Sequence, residues 1–144
     1  MRKTEGVDKF LLDPQIEADT IEVGSLGLCR VRLMSDSRFP WLVLVPQRPE
    51  VTEIFDLSEE DCDLCFKEIT LVSRALKQQT GCDKINIATF GNMVAQLHIH
   101  IIARFRDDPA WPGSAIGLAG GAPYSDDAAR EMVEKLFQSI GATS

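Results

Sequence analysis

Residues 96–102 constrain the fold of this chain more than any other stretch. They read Gln-Leu-His-Ile-His-Ile-Ile and hold both of the protein's histidines on alternate positions of an otherwise apolar run. Because side chains alternate faces along a β-strand, Gln96, His98 and His100 should project from one side and the aliphatic residues from the other. The apolar side then requires a core beneath a sheet. The polar side holds two imidazoles about 7 Å apart, which is close enough to form a site.

The length and composition predict one compact domain spanning residues 1–144, since 44% of the 144 residues are hydrophobic. The formal net charge of −7 argues against a nucleic-acid-binding protein, because such proteins cluster Lys and Arg on the surface that meets the phosphates. A small anionic ligand remains compatible with this charge, since backbone amides and one or two cations can hold a phosphate.

Targeting signals and cysteines predict the compartment. The chain contains no apolar run near the roughly 20 residues needed to cross a bilayer, and residues 1–6 lack the apolar core of a secretory signal. The four cysteines are too few and too irregularly spaced for a disulfide scaffold. We therefore expect a cytoplasmic protein with no membrane association and with free thiols.

Alternating and continuous apolar runs, separated by turn residues, predict a mainly antiparallel sheet of about five strands. A turn or short helix around residues 11–16 precedes the sheet. The predicted strands are residues 21–26, 28–34, 41–45, 84–88 and 93–104. The first two strands should form a hairpin around Gly27.

Two helices complete an α+β fold. A long helix over residues 59–79, capped by Ser58, has an apolar stripe at spacings of three and four residues, while Glu68 is predicted to face water. The predicted stripe consists of Cys62, Cys65, Phe66, Ile69, Val72, Ala75 and Leu76. A final helix over residues 126–140, capped by Ser125, is favoured as part of the core, with a subunit interface as the alternative.

The paired histidines allow three interpretations without further knowledge. They can form a hydrogen-bonded or solvated polar face, a catalytic site, or part of a metal site. A zinc site needs a third protein ligand, and no Cys, Asp or Glu has a diagnostic spacing to this strand, so we predict no metal. Cys62 and Cys65 resemble half of a zinc or redox motif, but they lie on the apolar stripe and favour core packing.

The pattern of residues 96–102 resembles the signature of the histidine triad (HIT) family, His-φ-His-φ-His-φ-φ, where φ is hydrophobic. The resemblance covers residues 21–113. Residues 39–46 look like the family's Pro-bearing apolar strand, residues 91–94 resemble its Gly-Gln-Ser/Thr-Val loop, and residues 111–113 resemble the Trp-Pro segment of the nucleoside phosphoramidate hydrolase branch. The resemblance implies the HIT fold described by the predicted elements, and a homodimer.

In that family the middle histidine attacks the α-phosphorus of a nucleotide conjugate and forms a nucleotidyl-histidine. His98 matches this position, and the resemblance suggests that the carbonyl of Gln96 accepts the His98 Nδ1 proton and leaves Nε2 free to attack. His100 matches the last histidine, which contacts phosphate oxygens and, if protonated, would assist the leaving group. No cofactor is implied.

The resemblance also assigns residues to the substrate, a small nucleotide conjugate. Asn92 matches a polar residue of the phosphate loop, and Asp36 lies where the family places an acid on the ribose hydroxyls. Leu33 is expected to border the base, and Trp111 to lie close to a neighbouring subunit's site. These four residues complete the predicted site.

The chain departs from the family pattern at two positions. Gln96 replaces the first histidine and cannot titrate, and Met93 replaces a hydroxyl residue near the phosphate. Our first hypothesis is a hydrolase or transferase acting on the α-phosphate of a nucleoside phosphoramidate or dinucleoside polyphosphate, with Gln96, His98 and His100 as its catalytic residues. The alternative is a non-catalytic nucleotide-binding or regulatory protein that has lost efficient turnover.

Overall fold

A computed structural model describes residues 9–144. The predicted lack of a secretory signal concerns residues 1–6, which lie outside the described residues. The described elements, in chain order, are α1 (Pro14–Asp19), β1 (Thr20–Ser25), β2 (Cys29–Met34), β3 (Trp41–Pro46), a 3₁₀ turn (Ile54–Asp56), α2 (Glu59–Thr80), β4 (Lys84–Thr89), β5 (Ile99–Arg104) and α3 (Asp126–Ile140). Within residues 9–144 no helix has both the length and the apolar character needed to cross a membrane.

The five strands form one antiparallel sheet in the order β1-β2-β3-β5-β4. This arrangement confirms the predicted α+β class and the hairpin of β1 and β2. Strand β5 lies between β3 and β4, so the strand that carries His100 is paired along both edges. A side chain on such an internal strand is held more rigidly than one on a loop or an edge.

Strand β5 is shorter than predicted. Its pairing begins at Ile99, opposite Leu44 of β3 and Thr89 of β4, so residues 93–98 lie outside the sheet. The strand cannot extend further back because the preceding residues bond elsewhere: the Leu97 N–H donates to the carbonyl of Val51. The prediction of a strand from residue 93 was therefore wrong.

Helices α2 and α3 pack against one face of the sheet and bury the main core. Helix α2 begins after Ser58, whose side chain accepts the Asp61 N–H, and ends at Gly81, which adopts the left-handed conformation with φ of 67°. Leu136 and Ile140 of α3 are buried in the same core, and Ser125 caps that helix as predicted. The C-terminal helix therefore belongs to the core.

Two predictions for α2 were wrong. Phe66 lies at the margin of the stripe and is 51% exposed, while Glu68 is 6% exposed. The Glu68 carboxylate accepts the backbone N–H groups of Leu28 (2.9 Å) and Cys29 (2.8 Å), at the turn between β1 and β2. Two backbone donors that face the core need an acceptor there, and Glu68 supplies it.

The second face of the sheet carries a smaller core, which includes the histidine side of β5. Its buried members include Trp41, Val43 and Ile102. Residues 10–16 cover part of this face, since Ile16 is buried in the cluster and Phe10 packs against it. The N-terminal segment of the described chain therefore forms part of the surroundings of the histidines.

Candidate active site

His98 and His100 lie together on the second face of the sheet. His100 sits in β5, opposite Val43 of β3 and Ala88 of β4, and His98 immediately precedes that strand. Their ring centroids are 5.0 Å apart with an interplanar angle of 80°. The sequence predicted both imidazoles on one face. Both residues are also buried, at 9% and 7% exposure, so they form an enclosed pair.

The tautomer of His98 follows from its hydrogen bond. Its Nδ1 lies 2.6 Å from the carbonyl oxygen of Gln96, and because a carbonyl only accepts, Nδ1 must carry the proton. The lone pair of neutral His98 is therefore on Nε2. The Thr89 hydroxyl donates to the His98 carbonyl at 2.7 Å and helps to fix the backbone at this position. The predicted orientation of His98 by Gln96 is confirmed.

His100 has the opposite tautomer. The indole Nε1–H of Trp41 donates to His100 Nδ1 at 3.0 Å, and because an indole nitrogen only donates, the His100 proton must be on Nε2. Burial, together with the neighbouring His98, lowers the pKa of His100 to about 4. At neutral pH His100 therefore offers one N–H donor and no positive charge. The condition under which His100 was expected to assist the leaving group, a protonated imidazole, is therefore not met in the free protein at neutral pH.

A cavity of about 110 Å³ lies beside the two imidazoles. Its lining residues come from α1, the first three strands, β5 and the loop before β5: Ile16, Asp19, Thr20, Met34, Val43, Val94, His98 and His100. The sequence does not identify Asp19, Thr20 and Trp41 as parts of the site. No local signal marks them, because the packing of α1 and the register of β3 against β5 bring them to the histidines.

Leu33, predicted to border the base, lies on the helix-covered face of the sheet, opposite the histidines. It pairs with Leu42 of β3 and is fully buried in the core beneath the helices. Because faces alternate along a strand, its neighbour Met34 is the residue that lines the histidine cavity. An apolar border to the cavity is therefore present, but one residue later than predicted.

Asp36 does not line the histidine cavity. Its carboxylate forms an ion pair with Arg38 at 2.8 Å and accepts the Ala122 N–H. The Arg38 guanidinium, which hydrogen-bonds both carboxylate oxygens, holds the pKa of Asp36 below its usual value. Arg38 also donates to the carbonyls of Leu118 and Ala119, so this pair ties the loop after β2 to the Gly-rich segment before α3. Asp36 is thus held by Arg38 and the Gly-rich segment, and its assignment to a ribose stays a prediction.

Asn92 and Trp111 also lie outside the lining of the histidine cavity. Asn92 is exposed and lines a neighbouring cavity of about 520 Å³, whose wall includes Phe90; the Phe90 ring is 6.5 Å from the ring of His100. The indole of Trp111 stacks on the guanidinium of Arg104 at 5.7 Å. Within this chain, Trp111 therefore packs against its own sheet, and its closeness to a second subunit stays a prediction.

The cysteines lie apart from this site. Cys65 is buried in the core beneath the helices, and Cys62 is half-buried beside it on α2. Among residues 9–144, no group of three or more His, Cys, Asp or Glu side chains is placed to hold a metal ion.

Replacing Trp41 with phenylalanine should raise the pKa of His100. The indole N–H stabilises the neutral imidazole, and the loss of one such bond, about 1.4 kcal/mol, corresponds to roughly one pH unit. NMR titration of the His100 ring measures this shift. Trp111→Phe is the matched control, because that indole contacts Arg104 instead of His100. An unchanged His100 titration in Trp41→Phe would show that burial alone sets the tautomer and the pKa.

The comparisons with solved structures identify the fold. A histidine triad protein from Sinorhizobium meliloti 1021 is 44% identical, with 90% of this chain and 96% of that chain covered and a TM-score of 0.88. A histidine triad protein from Bradyrhizobium japonicum is 42% identical, with 92% and 98% covered and a TM-score of 0.89. One from Marinobacter aquaeolei VT8 is 37% identical, with 92% and 97% covered and a TM-score of 0.90.

The sequence comparisons agree with the structural comparisons. Proteins of Saccharomyces cerevisiae named bis(5'-adenosyl)-triphosphatase are 34% identical over 70 residues, which are 45% of this chain and 34% of theirs. The match thus spans about a third of the length of these curated relatives. The HIT domain itself matches residues 15–107, which include β1 to β5 and both histidines. This chain, with one buried histidine on an internal strand and the other immediately before it, belongs to the HIT family.

Proposed function

We propose that this protein hydrolyses or transfers the nucleotidyl group of a nucleotide conjugate through a covalent intermediate on His98. The hydrogen bond from His98 Nδ1–H to the Gln96 carbonyl is the observation that carries the proposal, because it leaves the Nε2 lone pair as the nucleophile in the cavity. The yeast relatives named bis(5'-adenosyl)-triphosphatase support a nucleotide hydrolase.

The proposed reaction has two displacements at phosphorus. Nε2 of His98 forms a bond to the α-phosphorus, and the leaving group departs with the electron pair of its own bond. The resulting imidazolium keeps its Nδ1 proton, and the Gln96 carbonyl stabilises the positive charge. Water then attacks phosphorus, the Nε2–P electrons return to His98, and the water proton passes to solvent. His100 Nε2–H donates to a non-bridging phosphate oxygen in both steps.

The neutral state of His100 favours one of the two predicted substrate classes. An amine leaving group needs a proton, whereas a nucleoside phosphate departs as a stable anion. Trp41 holds His100 as a neutral donor, and Gln96 does not titrate, so neither side chain supplies that proton at neutral pH. We therefore favour a dinucleoside polyphosphate over a nucleoside phosphoramidate as the substrate.

Quenched mass spectrometry tests this function. Protein incubated briefly with diadenosine triphosphate should carry an adenylyl group that peptide mapping places on His98. Diadenosine triphosphate should also be turned over at least about tenfold more efficiently than adenosine phosphoramidate, a difference of about 1.4 kcal/mol in the barrier. Faster turnover of the phosphoramidate would overturn the leaving-group argument. Nucleotide binding without adduct or product would instead favour the non-catalytic alternative.

We also propose a homodimer formed along strand β4 and the outer face of α2. β4 is an edge strand, and exposed apolar side chains lie on both elements, namely Phe66, Leu71 and Ile87. A second copy that pairs its own β4 antiparallel would satisfy this edge and cover these side chains. Sedimentation velocity tests the proposal, and a monomer at tens of micromolar protein would contradict it.

A cytoplasmic location stays a prediction from cysteine usage. The four thiols, which are all free, agree with that prediction.

A further inference from the structure

We infer that Gln96 is a positioning residue whose side chain fastens residues 10–16 to the catalytic loop and so sets one wall of the cavity beside His98. The sequence placed Gln96 in the row of catalytic side chains, but its amide is directed to the N-terminal segment instead. The inference deepens the proposed function and rests on it, because the wall in question lines the cavity that contains the proposed nucleophile, His98.

Both ends of the Gln96 amide are used. Oε1 accepts the backbone N–H of Asp13 at 2.9 Å, and Nε2 donates to the backbone carbonyl of Leu11 at 2.9 Å. These contacts join residues 83 and 85 positions apart in the sequence. Because the amide must donate at one end and accept at the other, a carboxylate can make only one of the two bonds and an aliphatic side chain neither.

The fastened segment leads directly into the cavity wall. Asp13 caps α1, since its Oδ1 accepts the Gln15 N–H at 2.8 Å. A helix of six residues is not stable alone, so its position depends on such anchors. Ile16, at the centre of α1, and Asp19, its last residue, both line the cavity beside the histidines. Fixing the start of α1 therefore fixes this wall.

Gln96 also connects this wall to the nucleophile. The same residue that holds Leu11 and Asp13 with its side chain accepts the His98 Nδ1 proton with its main-chain carbonyl. Loss of the side-chain bonds leaves that carbonyl in place, so the chemical step should be affected less than substrate binding. A mobile wall must be ordered when the nucleotide binds, and the entropy of that ordering weakens affinity.

Gln96→Met tests the inference, since methionine is similar in length and has no amide. Hydrogen–deuterium exchange of residues 10–20 should become at least about tenfold faster, the effect expected from losing about 1.4 kcal/mol of hydrogen bonding. The Kd for AMP and the KM for diadenosine triphosphate should rise about tenfold, while kcat for that substrate changes less than about threefold. Gln96→Glu, which retains the acceptor for Asp13, should show an intermediate effect.

Gln79→Met is the matched control. It removes a side-chain hydrogen bond between Gln79 of α2 and Ser139 of α3 (2.9 Å), and it should leave the exchange of residues 10–20 unchanged. Unchanged exchange in Gln96→Met would overturn the inference, as would faster exchange with no change in the Kd for AMP. Neither the hydrogen–deuterium exchange of residues 10–20 nor the binding of AMP depends on catalytic turnover. Absence of hydrolysis by the wild-type protein would therefore count against the proposed function alone.

Discussion

Replacing His98 with alanine should lower kcat for diadenosine triphosphate by about 10⁴-fold or more and abolish the covalent adduct. The variant retains the cavity but has no atom that can form the bond to phosphorus. The neighbouring His100 is not a substitute nucleophile, because the Trp41 indole N–H occupies its Nδ1 lone pair and its Nε2 carries the proton. Steady-state kinetics and quenched mass spectrometry measure the two effects, and circular dichroism verifies the fold.

His100→Gln provides the comparison for that variant. A glutamine amide retains an N–H donor, and His100 acts as a neutral donor, so the loss should be only about 10- to 100-fold. A loss as large as that of His98→Ala would show that His100 supplies more than a hydrogen bond. Activity above about 1% of wild type in His98→Ala would rule out His98 as the nucleophile.

Replacing Glu68 with alanine should lower the free energy of unfolding by about 3–5 kcal/mol, since two buried donors lose a charged acceptor. These are the N–H groups of Leu28 and Cys29, which both face the core at the β1–β2 turn. Urea denaturation followed by circular dichroism measures the change. A side chain that faced water, as the sequence predicted for Glu68, would instead change stability by less than about 0.5 kcal/mol.

Glu60→Ala is the matched control, because Glu60 is exposed in the first turn of α2. Its loss should cost less than about 1 kcal/mol, the range of an acidic side chain near a helix N-terminus. Glu68→Gln should lie between the two, since the amide retains one acceptor oxygen but turns a donor toward a backbone N–H. Equal stabilities of the Glu60 and Glu68 alanine variants would remove the proposed role of Glu68.

The sequence by itself determined the elements and the class of fold. Helix α2 begins at Glu59, as Ser58 and the acidic first turn predicted, and α3 spans the predicted residues 126–140. These signals are local, because a cap bonds three residues ahead and an apolar stripe repeats every three or four residues. Alternation along residues 99–104 likewise placed His100 on a strand with one apolar face.

Only the tertiary structure decided the partners of the polar side chains. Glu68 stands three residues after Cys65, on the buried stripe by its spacing, but its charge suggested water until the hairpin turn supplied two donors. Trp41 reaches His100 because β3 and β5 pair with Trp41 opposite Ile102, which makes the two rings diagonal neighbours. Strand register joins residues far apart in the chain, and no local periodicity specifies it.

Gln96 shows the same limit most clearly. Its place in an alternating run predicted a strand and a row of three catalytic side chains, yet its amide bonds to Leu11 and Asp13 and does not line the cavity beside the two histidines. The local pattern contains the residue type and its spacing, whereas the two hydrogen-bond partners of the Gln96 amide lie more than 80 residues earlier. A polar side chain in a folded protein goes where its donors and acceptors are satisfied, and those partners exist only after the chain has folded.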